Sequence, residues 1–225
     1  MRILVLGEGP NDLGRFVGDG SLTHPGVLPV LIERLFLETT SSLPVEFAAL
    51  PWKSRSLRAH AGSGLHKKLE LAAALFGGKT SAIIGVVDRD GVKNKSRAVQ
   101  LNVGRETVLQ RKLSCAVGLS IEMLEAILLA DETALRTALG DPSIECQPDP
   151  EGLISRDEQS DKNPKGRLRR LIAQSPAGKR SSDFTAHYAE IARHARLNIL
   201  EERCSAGFGP FAEQIREVAA ALKSR

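Results

Sequence analysis

The chain has 225 residues, 42% of them apolar, 26% charged and 4% aromatic, with a formal charge of +4. One Trp and one Tyr are too few for a surface that stacks single-stranded bases, so any polyanion that the mild positive charge attracts would be held through its phosphates. Three widely spaced cysteines, Cys115, Cys146 and Cys204, form no CxxC pair, which argues against a disulfide framework or a zinc knuckle and for small buried hydrophobes in a reducing compartment.

Residues 3–6 are a short apolar run ending at Gly7, the pattern of a buried strand in a parallel sheet. A Gly-rich loop follows through Gly20. Val27, Leu28, Leu31 and Leu35 have helical spacing and predict a helix over 25–38, with Pro25 near its start. A second strand is expected over 45–50. The stretch 53–68 is basic, carrying Lys53, Arg55, Arg58, Lys67 and Lys68, and its second half opens a helix over 65–76, closed by Gly77-Gly78. Residues 82–87 are an uninterrupted run rich in β-branched Ile and Val and predict the clearest strand, which ends in Asp88-Arg89-Asp90-Gly91. A helix over 96–113, a strand over 115–119 and helices over 121–130 and 132–139 complete the first part. Residues 141–164 are polar and rich in Pro, Asp and Ser and read as a long loop. Helices follow over 166–174, 182–195 and 210–223.

Strands and helices alternate over the first 120 residues or so. The pattern implies an α/β fold: a parallel sheet of about four strands flanked by helices, in a domain over 1–140. Residues 141–225 then form a loop and a C-terminal helical extension packed on that domain. No apolar run reaches the roughly 18–20 residues that span a bilayer. The apolar start is too short for a signal peptide. The expectation is a cytoplasmic protein with no membrane partner.

In such sheets functional groups gather at the carboxyl ends of the strands. Asp88 and Asp90 leave one strand end, and Glu8 leaves another, with Asp12 four residues on. Strand-end turns also use Asp and Gly for backbone reasons, and a lone loop Glu is ordinarily solvated. Two acidic strand ends reinforce each other, because adjacent parallel strands would bring their carboxylates together. Mg²⁺ is often held by one or two carboxylates completed by waters and substrate phosphates. Glu122 and Glu125 share one face of a very apolar helix at i, i+3, where acids need a salt bridge or a metal. Asp131 reads as the cap of the next helix. Lys162 and Lys165 flank Asn163-Pro164; either would stabilise charge on a phosphoryl oxygen if it faced the acids, and otherwise is a solvated loop lysine. The segment 62–68 lacks the GxxxxGK[ST] spacing of a P-loop, and no GxSxG or HExxH occurs.

Glu8 after the first strand and Asp88-x-Asp90 after a later one resemble the signature of the Toprim family. Residues 121–131 are similar to the Glu-Ala-Trp-Leu-Leu-Ala-Asp stretch of a group of bacterial Toprim-like proteins. Asn163-Pro164-Lys165 and the Cys-x-x-Phe-like stretch from Cys204 to Phe211 resemble that group's later elements. Two departures stand out: Ile127 occupies the usual Trp position, and Asp12 stands where Glu is common. Toprim domains occur in topoisomerases, primases and nucleases, among them the overcoming-lysogenisation-defect nucleases of phage defence, which work with an ATPase. Tyr188 is the sole tyrosine and no large extra domain is present, so a topoisomerase is disfavoured. The chain carries no ATPase motif, so an ATPase would be a separate partner; a homodimer is also compatible.

The resemblance implies a Mg²⁺- or Mn²⁺-dependent nuclease acting in DNA repair or phage defence. Glu8, Asp12, Asp88, Asp90 and Glu122 would hold the metal. Glu125 would complete the shell or orient the water, and Lys165 would stabilise the transition state. Lys53, Arg55, Arg58, Lys67 and Lys68 would hold the nucleic-acid backbone. Two alternatives stay open: a Toprim scaffold that binds nucleic acid or protein without cutting, and a small-molecule phosphotransferase or phosphatase.

Overall fold

The computed structural model describes all residues except 19, 41–43, 62–63, 90–95, 122–123, 146–148 and 225, with only the backbone at 59–61. The chain begins with β1 (Arg2–Gly7), α1 (Pro10–Leu13), β2 (Gly14–Phe16), β3 (Leu22–Pro25), α2 (Val27–Thr40) and β4 (Glu46–Pro51). It continues through α3 (Arg55–Ala61), α4 (Leu65–Phe76), β5 (Ala82–Asp88), α5 (Ser96–Gln110) and β6 (Ser114–Ser120). Helices α6 (Leu124–Leu128), α7 (Glu132–Leu139), α8 (Pro164–Gln174), α9 (Pro176–Arg180), α10 (Phe184–His194), α11 (Leu197–Arg203) and α12 (Phe208–Lys223) follow.

β1, β4, β5 and β6 form a four-stranded, all-parallel sheet in the order β4-β1-β5-β6, the Rossmann-like α/β arrangement expected from the sequence. The period-two alternation of a strand divides the apolar residues between its two faces. Ile3, Val5, Ile84, Val86 and Ala116 enter one core with α2, α10 and α12. Leu4, Leu6, Ile83, Val87, Cys115 and Val117 enter a second with Trp52, Leu57 and Leu69. Burial on both faces is why the strands read as unbroken apolar runs. Cys115 and Cys204 are buried, as expected; Cys146 lies outside the described residues. No helix among the described residues is long and apolar enough to cross a membrane.

The strand order makes the site. After β1 the chain adds β4 on one side, then returns past β1 to add β5 on the other. The crevice outside the carboxyl ends of β1 and β5 is therefore the topological switch point of the sheet, where ligands bind in open α/β folds.

The last helices belong to the fold's own core. Phe208, Phe211, Ala212, Ile215 and Ala219 of α12 are buried in the cluster that holds Ile3 and Ile84, and α12 packs on β6 and α2.

The Gly-rich loop after β1 contains α1 and the two-stranded antiparallel β2–β3 ribbon. The ribbon's strands are short and mostly exposed, so no apolar alternation marks them. Gly14 fixes its geometry: φ is +90°, and a Cβ there would lie 2.0 Å from the His24 carbonyl oxygen. α5 ends at Gln110, three residues before the expected end, because Lys112 takes a left-handed φ of 60°. α3, α9 and α11 are too short for the spacing of apolar residues to show.

Candidate active site at the strand ends

Register places the acids. Leu6 of β1 pairs with Gly85 of β5, and Asp88 pairs with Ser120 of β6. Glu8, two residues past Leu6, and Asp88, three past Gly85, leave the sheet side by side. The Asp88 N–H donates to Glu8 Oε1 at 3.4 Å. Arg97, in the first turn of α5, donates from Nη1 to the same Oε1 at 3.3 Å and also to the Asp88 carbonyl oxygen. Asp88 Oδ1 accepts from the Leu124 N–H at 3.1 Å, tying the end of β5 to the start of α6. Ser120 is 1% exposed, and its hydroxyl has no hydrogen-bond partner among the described residues.

Asp12 turns back on the loop. Its Oδ2 accepts from the Glu8 N–H at 2.7 Å and the Gly9 N–H at 3.3 Å. Burial pushes its carboxyl up to about 7, against those two hydrogen bonds and with the help of the Glu125 and Glu8 charges. Glu125 is buried in α6 and is also pushed upward by burial. Its own backbone N–H, the Lys165 charge, the Tyr188 hydroxyl and Arg169 act in the opposite direction. Tyr188 is fully buried beside Glu125 and Arg169, yet its hydroxyl makes no hydrogen bond of good geometry to either. Lys165 pairs with Glu158 Oε1 at 3.5 Å as well as acting on Glu125.

Glu8, Asp12, Asp88, Glu125 and Lys165 thus gather at one end of the sheet. Asp90 and Glu122, expected as further ligands, lie outside the described residues. Asp131 is the cap that its position suggested: it accepts from the Thr133 and Ala134 N–H groups at the start of α7 and pairs with Arg196 at 2.8 Å. Lys162 is exposed in the loop before α8.

Beside Glu8 lies a cleft of about 280 Å³ lined by Trp52, Lys53, Leu65, Lys68, Ser96, Arg97 and Gln100 among others. It takes Lys53 and Lys68 from the basic stretch. Arg55, Arg58 and Lys67 are exposed and do not line it. Two larger cavities, of about 650 and 580 Å³, sit at the amino ends of the strands and along β4; neither touches an acid of the cluster, so the smaller cleft at the switch point is the one joined to the chemistry. Arg97, Gln100 and Tyr188 gave no sequence signal. Their place depends on which strands are neighbours, and Arg97 follows Asp88 by nine residues with no motif spacing.

Among the described residues, no group of three or more His, Cys, Asp and Glu is arranged to hold a metal ion. The donor chemistry nevertheless fits a hard divalent cation. All the acids offer oxygen, Mg²⁺ needs only one or two carboxylates beside waters and phosphate oxygens, and a raised Asp12 beside Glu125 and Glu8 is a concentration of negative charge that a cation relieves. No protein-family model, curated protein or solved structure matches this chain.

Proposed function

We propose that the chain is a metal-dependent phosphodiesterase of the Toprim type, cutting nucleic acid at the switch-point crevice. One observation carries the reading: the Asp88 N–H donates to Glu8 Oε1, so two carboxylates leave adjacent parallel strands at one point, with Asp12 and Glu125 behind them. Glu8 and Asp88 would hold Mg²⁺ or Mn²⁺, with Asp90 and Glu122 as the remaining candidate ligands. The bound cation would supply Lewis-acid polarisation of the phosphoryl group and acidify a water. The chain's own residues do the rest. Arg97 orients the Glu8 carboxylate and the end of β5. The Leu124 N–H fixes Asp88. Glu125, held protonated more readily than an ordinary glutamate, would exchange a proton with the attacking water or the leaving oxygen. Lys165 reaches the same group electrostatically and offsets negative charge as it develops. Action with a separate ATPase in repair or phage defence belongs to the same proposal.

The test is cleavage of plasmid DNA and of structured RNA by the purified chain, with Mg²⁺ or Mn²⁺ against a chelator, beside Glu8→Gln. Cutting that needs the metal and falls by at least about a hundredfold in the variant, the usual weight of a catalytic acid–base or ligand group, supports the reading. Metal-independent cutting, or equal cutting by the variant, overturns it.

A further inference from the structure

Resting on that nuclease reading, we infer that the cleft beside Glu8 is a phosphate subsite: Lys53, Lys68 and Arg97 hold a backbone phosphate of the substrate next to the one on which Glu8 and Asp88 act.

Among the described residues, three cationic side chains and one carboxylate, Glu8, line the cleft. Glu8 is already engaged by Arg97, so this described lining carries a net positive charge. Two helices add to it. Leu65 and Lys68 lie in the first turn of the 12-residue α4, and Ser96, Arg97 and Gln100 lie at the start of the 15-residue α5, so the positive ends of both dipoles face the same space. Gln100 locks the two helices together, its Oε1 accepting from the Leu65 N–H at 2.8 Å, which leaves its amide group a donor. Lys68 is positioned by donating to the Trp52 carbonyl oxygen at 3.1 Å, and an ammonium keeps further donors for a ligand.

The same walls say what the cleft does not read. Trp52 is 4% exposed, and its indole N–H is spent on the Val86 carbonyl oxygen at 2.6 Å. It offers no face on which a base could stack. At about 280 Å³ the cleft falls below the roughly 300–1,000 Å³ of drug-sized pockets, so it takes a phosphate and its sugar, not a base pair. Recognition is therefore of the backbone, without sequence preference and sensitive to salt.

Trp52 is the chain's single tryptophan and lines the cleft, so its fluorescence reports occupancy. The whole chain, held in a chelator so that cutting is silent, is titrated with inorganic phosphate. It is then titrated with a thymidine dinucleotide carrying only its internal diester, and with the same dinucleotide bearing a 5′-phosphate. Titration calorimetry runs in parallel, so that an unresponsive indole is not misread. Saturable binding that weakens about tenfold in Lys53→Ala, the weight of one charge-assisted hydrogen bond, and also weakens in Arg97→Gln, supports the subsite; Lys179→Ala, at an exposed position of α9, is the unchanged control. Lys53 is exposed, so its variant folds. Preference for the 5′-phosphorylated dinucleotide assigns the subsite to a strand terminus, and equal binding assigns it to an internal phosphate. No saturable binding, or the same affinity in Lys53→Ala and Arg97→Gln, overturns it. The two proposals fail separately. Phosphate binding without cutting of any polymer keeps the subsite and removes the nuclease; metal-dependent cutting with no phosphate binding in the cleft removes the subsite and keeps the nuclease.

Discussion

Asp12→Asn is the most informative single change, because it removes a charge and little else. The amide oxygen of Asn can still accept from the Glu8 and Gly9 N–H groups that Asp12 Oδ2 engages at 2.7 and 3.3 Å. The folded-state pKa of Asp12 is about 7 against an ordinary value of 3.8. Between those two values the folded chain keeps a proton that the unfolded chain has released. Its contribution is therefore fully stabilising below pH 3.8 and is lost as pH rises towards 7. A shift of this size corresponds to an upper limit of about 4 kcal/mol lost between pH 4 and pH 8. Coupling to Glu125 makes the effect smaller without changing its sign. Urea unfolding of the wild type and the variant, in a chelator, at pH 4, 6 and 8 reads it directly. The variant matches the wild type at pH 4 and becomes progressively the more stable above it. Added Mg²⁺ then narrows the gap at pH 8, because the Asp12 charge strengthens cation binding in the wild type and a ligand that binds only the folded state raises its stability. A gap that does not change with pH would refute a half-buried, like-charged setting for Asp12, and with it the electrostatic argument for a cation.

Other positions test the framework around the site. In Gly85→Ala the new Cβ would lie 2.9 Å from Trp52 Cζ2, so a loss of about 1–3 kcal/mol and an altered tryptophan emission are expected; unchanged emission would mean that Trp52 does not pack on β5. Arg196→Ala strips the guanidinium from Asp131, which is 1% exposed, and thermal or urea unfolding should show a loss of about 2 kcal/mol at neutral pH. Burial opposes the Asp131 charge, but hydrogen bonds from Arg196 and from the Ala134 N–H hold its pKa below 3.8. The loss is therefore present above that value and fades as pH falls through the lowered folded-state pKa, and a loss of the same size at every pH, with no decline on acidification, would refute the pairing. Lys165→Met removes a charge that favours ionised Glu125, so the acidic limb of any pH–rate profile should move to higher pH; an unmoved profile would separate Lys165 from the acids.

The central strands are legible in the sequence because both of their faces are buried, which leaves continuous apolar runs such as residues 3–6 and 82–87. The carboxylates Glu8 and Asp88 stand where those runs stop, so their gathering follows from strand adjacency alone. Asp131 is legible as a cap because a short acid before an apolar helix serves the free N–H groups of its first turn. The β2–β3 ribbon is hidden because it is exposed and is held by Gly14 and by backbone pairing, neither of which leaves a periodic pattern. Arg97 is hidden for a different reason. Its role comes from the helix start falling beside the end of β1, a relation that only the order β4-β1-β5-β6 creates. Likewise Lys53 and Lys68 separate from Arg55, Arg58 and Lys67 only once α3 and α4 are placed: charge in the sequence marks the stretch, and the fold selects which of its members line the cleft.

The claim that the acids at the ends of β1 and β5 cut phosphodiesters is tested most directly with Asp88→Asn, which keeps an acceptor for the Leu124 N–H and so preserves the link to α6 while removing the charge. Wild type and variant are compared on plasmid DNA and structured RNA with Mg²⁺ and with Mn²⁺, after circular dichroism has shown that both are folded. The account predicts metal-dependent cutting by the wild type and none above background by the variant. Equal metal-dependent cutting by both chains would contradict it, and so would a folded wild type that cuts neither polymer, alone or with a partner ATPase.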